Sequence, residues 1–108
     1  MERIIEIVEQ VRQGFEVRNR ARDTALAQAR QLTRYAAHTI RAIHRNEQDQ
    51  AAENLEKARH LVTQLREDLK EYPELYHAGY TQDAIKEFCE AVITGALIED
   101  TCLPGPEE

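Results

Sequence analysis

The chain has 108 residues, of which 42% are hydrophobic and 31% are charged, and its formal net charge is −6. A membrane span, a signal peptide and a disulfide framework are excluded, because no window approaches ~18 consecutive apolar residues, polar residues recur from Glu2 onward and only two cysteines are present. We therefore expect one soluble, cytoplasmic domain over residues 1–108 with no membrane partner.

The first predicted element is one long helix from about Glu2 to His44. Its apolar residues alternate at spacings of three and four, which is typical of helices that pack lengthwise. They are Val8, Val11, Phe15, Ala25, Ala29, Leu32, Ala36, Thr39 and Ile43. The same register places Arg18 and Arg22 on this seam, so the middle of the helix must leave the core or face a charged partner. Asn46 is predicted to cap the following helix.

Two further long helices are predicted, over about residues 47–71 and 82–99. Pro73 ends the second helix, and Thr81 is predicted to cap the third. Apolar residues cover most of the third helix, which predicts that it is central and that Cys89 is a buried, reduced thiol. The predicted fold class is all-α, with long antiparallel helices that form a bundle.

The end of the chain resembles the start of a fourth helix. Leu103–Glu108 contains two prolines followed by two glutamates, a pattern that favours a helix N-terminus. A nearly all-apolar third helix also needs more cover than two amphipathic neighbours provide. We therefore expect a homo-oligomer, and we expect the chain to be the front part of a longer protein.

Charge is distributed unevenly along the chain. Residues 1–45 contain nine arginines and five acids, whereas residues 46–108 contain five basic and fifteen acidic residues. Positions i, i+4, i+7 and i+11 of the first helix form a basic stripe, which consists of Arg34, His38, Arg41 and Arg45. A linear array of this kind suits a nucleic-acid backbone. Two alternatives are a solvated outer face and a surface that pairs with the acidic half of another copy.

Acidic residues form a second candidate site on the third helix. Asp83, Glu87 and Glu90 are spaced i, i+4 and i+7, so their carboxylates share one face. A hard cation such as Mg²⁺, or Mn²⁺ as a substitute, takes oxygen ligands of this kind. Alternatively, the carboxylates face solvent or pair with arginines of the first helix.

Three segments resemble the translin family, and most closely its prokaryotic members that are similar to translin-associated factor X. They are Thr39–Glu47 (TIRAIHRNE), Tyr72–Ala84 (YPELYHAGYTQDA) and Lys86–Ala91 (KEFCEA). The resemblance covers essentially the whole chain. It implies an all-α subunit of a hollow, barrel-like oligomer that binds single-stranded RNA or DNA.

The resemblance also implies a chemistry. Members of the factor-X type cleave RNA with Mg²⁺ held by acidic residues, and Glu87 and Glu90 match the family's two glutamates on the central helix. Another catalytic acid of the family lies on a later helix, beyond the point that corresponds to Glu108. The resemblance therefore implies a translin-like subunit that is incomplete at its C-terminus. From the charge and spacing of its residues, we expect the basic stripe to hold the strand.

Two other functions stay open. One is a non-catalytic helical scaffold, whose basic first half docks on the acidic second half of other copies. The other is a small carboxylate-bridged metal enzyme, which would bind iron or manganese without nucleic acid. Salt dependence separates the first of these from a nucleic-acid-binding subunit, because only binding to phosphates falls steeply with salt.

Overall fold

The computed structural model describes the backbone of residues 1–100 and the side chains of residues 1–97, so the features predicted for Leu103–Glu108 lie outside the described residues. Its helices are α1 (Glu2–His44), α2 (Gln48–Asp68), the single turn α3 (Pro73–Tyr76) and α4 (Gly79–Asp100). The described residues contain no strand, and the all-α prediction is confirmed. No helix in the described part is long and apolar enough to cross a membrane.

Asn46 lies just beyond the end of α1, and the prediction that it caps α2 is wrong. Its φ of 60° lies in the left-handed region, which asparagine tolerates better than most residues. The amide of Asn46 donates to the Ile43 carbonyl at 3.1 Å, and the amide of Glu47 donates to the Ala42 carbonyl at 2.9 Å. These two bonds form a Schellman motif, and Glu47 becomes the N-cap of α2.

Thr81 lies inside α4, so the predicted cap at this position is also wrong. The helix begins at Gly79, before the predicted start at residue 82. The Thr81 side chain is fully buried, and its hydroxyl donates to the Leu75 carbonyl at 2.9 Å. The hydroxyl therefore ties α4 to the preceding turn α3 and satisfies a buried carbonyl there.

α1 is the central helix, and the prediction that the third long helix is central is wrong. α1 packs against both α2 and α4, which contact each other little. Gln28 on α1 donates to Asp68 at the end of α2 at 2.9 Å, so these helices are antiparallel. A methyl group added at Gly95 would lie 3.6 Å from Ile43 Cδ1, which places the second half of α4 beside the end of α1.

Small side chains explain why α1 takes this central position. Four of its buried residues are alanines, which let two neighbouring helices approach its axis closely: Ala25, Ala29, Ala36 and Ala42. Leu32 and Leu65 are fully buried between the helices. The apolar surface of α4 is only partly covered, since Ile93 and Leu97 are 56% and 59% exposed. Cys89 is exposed as well, contrary to the prediction that it is buried.

The first half of α1 extends away from the bundle as an N-terminal arm, residues 1–20. Every residue of the arm is exposed, and the longest dimension of the molecule is 75 Å. The predicted seam is therefore buried only from Ala25 onward, while Val8, Val11 and Phe15 remain uncovered. Arg18 and Arg22 are exposed and lie just before the point where the seam enters the core. This agrees with the expectation that the helix leaves the core where charged residues occupy the seam.

Candidate functional site

The basic stripe lies on the outer face of α1. Arg34, His38, Arg41 and Arg45 are all exposed, whereas Leu32 and Ala36 on the opposite face of α1 are buried. This division follows from the helical period, because residues at i, i+4, i+7 and i+11 share one face. Within the part of the chain whose side chains are described, no carboxylate forms an ion pair with any of the four residues. The positive charges of Arg34, Arg41 and Arg45 are therefore open to an external anion.

The start of α2 lies beside the stripe and forms a shallow groove of about 210 Å³ with it. The lining residues come from both helices, and they are His38, Arg41, Ala42, Arg45, Glu47, Gln50 and Asn54. Backbone N–H groups at a helix N-terminus carry partial positive charge, which supplements the arginines. Glu47 has the opposite effect, because its carboxylate repels a phosphate at the same end.

Gln50 and Asn54 are residues of this groove that the sequence analysis missed. They lie one turn apart on α2, and the Asn54 side-chain amide donates to the Gln50 backbone carbonyl at 2.9 Å. Their i, i+4 spacing is visible in the sequence, but their place beside His38 and Arg41 depends on how α2 packs on α1. Amide side chains both donate and accept hydrogen bonds, so they suit sugar hydroxyls and base edges.

Glu87 and Glu90 lie on α4, at the edge of its buried face. Glu87 is half-buried, while Glu90 and Asp83 are exposed. The described side chains include no ion pair to either glutamate, so the alternative that they pair with arginines of α1 finds no support there. The Thr94 hydroxyl donates to the Glu90 backbone carbonyl at 2.8 Å, a bond within α4 that does not involve the carboxylate.

Two carboxylates of this kind fit part of a magnesium site. Their oxygen atoms are the hard donors that Mg²⁺ prefers, and Mg²⁺ often takes only one or two protein carboxylates beside water and substrate phosphate. The described residues contain no group of three or more His, Cys, Asp or Glu side chains arranged to hold a metal ion. The described chain therefore supplies two ligands at most from this face.

Glutamates on α2 differ from the pair on α4 because their charges are compensated within one helix. Glu53 lies 3.6 Å from Lys57, and Glu56 lies 3.2 Å from His60 and 3.8 Å from Arg59. These pairs join residues three or four positions apart, the usual geometry of surface ion pairs on a helix. Glu53 and Glu56 thus have basic neighbours on their own helix, whereas the described side chains include no ion-pair partner for the glutamates on α4.

Tyrosines near α3 pack against the core instead of forming a free stacking surface. Tyr72, Tyr76 and Tyr80 are half-buried and contact the apolar cluster that contains Leu69 and Leu75.

The structure thus offers two separate candidate surfaces. One is the stripe with its groove on α1 and α2, and the other is the glutamate pair on α4. The chain matches no protein-family model, no curated protein and no solved structure.

Proposed function

We propose that the protein binds single-stranded RNA or DNA along the basic stripe, as a translin-like subunit. The observation that carries this proposal is the charge of three exposed arginines on one face of α1, none of which is ion-paired to a described carboxylate. From Arg34 to Arg45 the stripe extends over about 17 Å, the length of several nucleotides. A single strand can follow such a straight line, since its backbone adapts to the protein.

Each part of the surface has a distinct task in this proposal. The guanidinium groups of Arg34, Arg41 and Arg45 bind phosphate oxygens through paired hydrogen bonds and stay charged at any physiological pH. His38 adds a nitrogen donor between them. Gln50 and Asn54 hydrogen-bond the sugar or base edges of a strand that lies in the groove. Because most contacts reach the backbone, binding should depend little on sequence.

Metal-dependent endoribonuclease activity is the second part of the proposal. Glu87 and Glu90 would hold Mg²⁺, with Mn²⁺ as a substitute, and support comes from their hard oxygen donors and lack of ion-pair partners in the described residues. When bound, such an ion supplies an activated water and stabilises charge on a phosphodiester. The resemblance to the translin family places another acid on a later helix. The activity is therefore proposed for a chain that includes that helix.

Binding to single strands is expected to weaken steeply with salt. Each phosphate that the protein neutralises on a single strand lowers the slope of log affinity against log salt by about 0.7. Fluorescence anisotropy of labelled RNA and DNA oligonucleotides, with a duplex as comparison, measures both affinity and slope. An affinity that does not change between low and high salt would contradict the proposal.

Replacing both Glu87 and Glu90 by glutamine is expected to weaken Mn²⁺ binding. The loss should be at least about tenfold, since even an outer-shell partner of a metal ligand contributes that much. Electron paramagnetic resonance of free Mn²⁺ measures the affinity. The matched control replaces Glu53 and Glu56, which have the same spacing but are ion-paired on α2. If the two double variants weaken Mn²⁺ binding equally, the glutamate pair on α4 is not a metal site.

A non-catalytic scaffold is the second candidate function, and the N-terminal arm favours it. The arm exposes an apolar surface that a helical assembly would cover. A scaffold and a nucleic-acid-binding subunit respond oppositely to salt, because apolar contacts persist at salt concentrations that release a bound strand.

A further inference from the structure

The N-terminal arm carries an uncovered apolar stripe that continues the buried seam of α1. Its residues repeat at spacings of four, three and four, and they are 61%, 61%, 54% and 61% exposed, in the order Ile4, Val8, Val11 and Phe15. Ile5 and Ile7 widen the stripe and are 60% and 52% exposed. From Ala25 onward the same register is covered by α2 and α4. The arm therefore has the heptad pattern of a packed helix without a neighbour.

The described residues of α2, α3 and α4 leave the arm uncovered, since every residue from 1 to 20 is exposed. The second half of α4 lies beside Ile43, at the opposite end of α1. From there to Phe15 is about 42 Å along the helix axis. The apolar stripe of the arm is therefore available to a second copy.

We propose that the arm pairs with the arm of a second copy as an antiparallel two-helix coiled coil. The charges of the arm support this direction. Residues 1–10 contain three glutamates and one arginine, a side-chain charge of −2, and residues 11–20 contain three arginines and one glutamate, a charge of +2. An antiparallel pair places each acidic half against a basic half, whereas a parallel pair places like charges together.

The heptad positions also select one register. When Ile4 lies opposite Phe15 of the other copy, Val8 lies opposite Val11, and all four layers of the contact are apolar. Arg18 then falls beside the start of the other arm, outside these layers. A shift of one heptad toward longer overlap would place Arg18 opposite Val8 and leave a charge in the apolar contact. The opposite shift would pair Ile4 with Val8 and leave Phe15 without a residue opposite it.

The antiparallel arrangement also fits the shape of the molecule. It places the two bundles at opposite ends of the paired arms, and each arm ends where the other bundle begins, near Ala21, the first half-buried residue of α1. A parallel pair would bring both bundles to the same end. Six large side chains, each about half exposed, offer on the order of 600 Å² per copy, so a pair buries about 1,200 Å², within the range of specific interfaces.

Local interactions explain how the arm stays helical before pairing. Arg12 forms ion pairs with Glu9 and Glu16, one turn away on either side. Its hydrogen bond to the Glu9 carboxylate lowers the pKa of that group. Such pairs contribute only a few tenths of a kcal/mol, and helical segments without tertiary contacts are marginal in water. Packing against a second copy buries the apolar stripe and stabilises the arm more than these ion pairs do.

Replacing Val11 by glutamate is expected to convert a dimer to a monomer at tens of micromolar, as measured by sedimentation velocity without nucleic acid. The matched control is Gln13→Glu, which adds the same charge on the opposite, polar face of the arm. Circular dichroism checks that the bundle stays folded. A monomeric unsubstituted chain, or a dimer that survives Val11→Glu, would overturn the proposal. So would a dimer that Ile93→Glu dissociates and Val11→Glu does not, because the contact would then lie on α4.

Disulfide trapping tests the direction of the pair. In a chain with Cys89 and Cys102 replaced by serine, two variants are prepared separately, Ile4→Cys and Phe15→Cys, and then mixed and oxidised. The antiparallel register predicts a mixed disulfide between the two variants and little linkage within either one. Efficient linkage of Ile4→Cys to itself would show a parallel pair and overturn the proposal. Neither test involves nucleic acid, so failure here is distinguishable from failure of the basic stripe.

Discussion

Replacing Arg34, Arg41 and Arg45 by glutamine is expected to weaken the binding of single-stranded oligonucleotides of every sequence. Three lost phosphate contacts should flatten the slope of log affinity against log salt by about two units. The affinity gained from these phosphate contacts vanishes near 1 M salt. Over the tenfold change in salt from ~1 M to ~0.1 M, two units of slope correspond to a loss of affinity of about 100-fold. Fluorescence anisotropy over a salt series measures the affinity and the slope together.

A charge-matched triple variant distinguishes binding by the basic stripe from attraction by the net charge of the protein. Arg3, Arg59 and Arg66 are exposed, and they lie on the N-terminal arm and on α2. Their replacement by glutamine changes the net charge by the same amount. We expect this control to keep most of the affinity and nearly the full salt slope. If both triple variants lose affinity equally, the strand responds to net charge and not to this face of α1.

Replacing Leu32 by alanine is expected to destabilise the bundle by about 2–5 kcal/mol, the range observed for buried leucines. Leu32 is completely buried, and it lies in the cluster that also contains Leu65 and Leu69. Most other buried residues of α1 are alanines, so few large side chains fill the space between the helices. Denaturant unfolding followed by circular dichroism measures the free energy.

Leu97→Ala is the control for this prediction. The Leu97 side chain is 59% exposed on α4, so its truncation leaves no cavity and should change stability by roughly 0.5 kcal/mol or less. A Leu32→Ala variant that is no less stable than Leu97→Ala would mean that α1 is not packed as described. Such a result would also question the division of α1 into a buried face and a basic face.

Helix spans and shared faces were predictable from the sequence, because they depend on local interactions. The spacing of apolar residues predicted three long helices. The second ends at Asp68, before the predicted end near residue 71, and Pro73 begins the short helix α3. The same period placed the basic stripe opposite the seam that contains Leu32, and the structure has this arrangement. The acidic residues of α4 were likewise assigned to one face from their spacing alone.

What covers each face was decided only by the tertiary structure. The seam of α1 keeps one register from Ile4 to Ile43, interrupted by Arg18 and Arg22, yet it is buried only from Ala25 onward. The sequence also could not show that α1 is central. Apolar residues around most of α4 indicate that this helix is buried, but they do not indicate which helix covers it. The position of Asn46 in a left-handed turn decided how α2 returns, and thereby placed Gln50 and Asn54 beside the stripe. The physical reason is that helical periodicity depends on residues three or four positions apart, whereas coverage depends on contacts between segments that are distant in the chain.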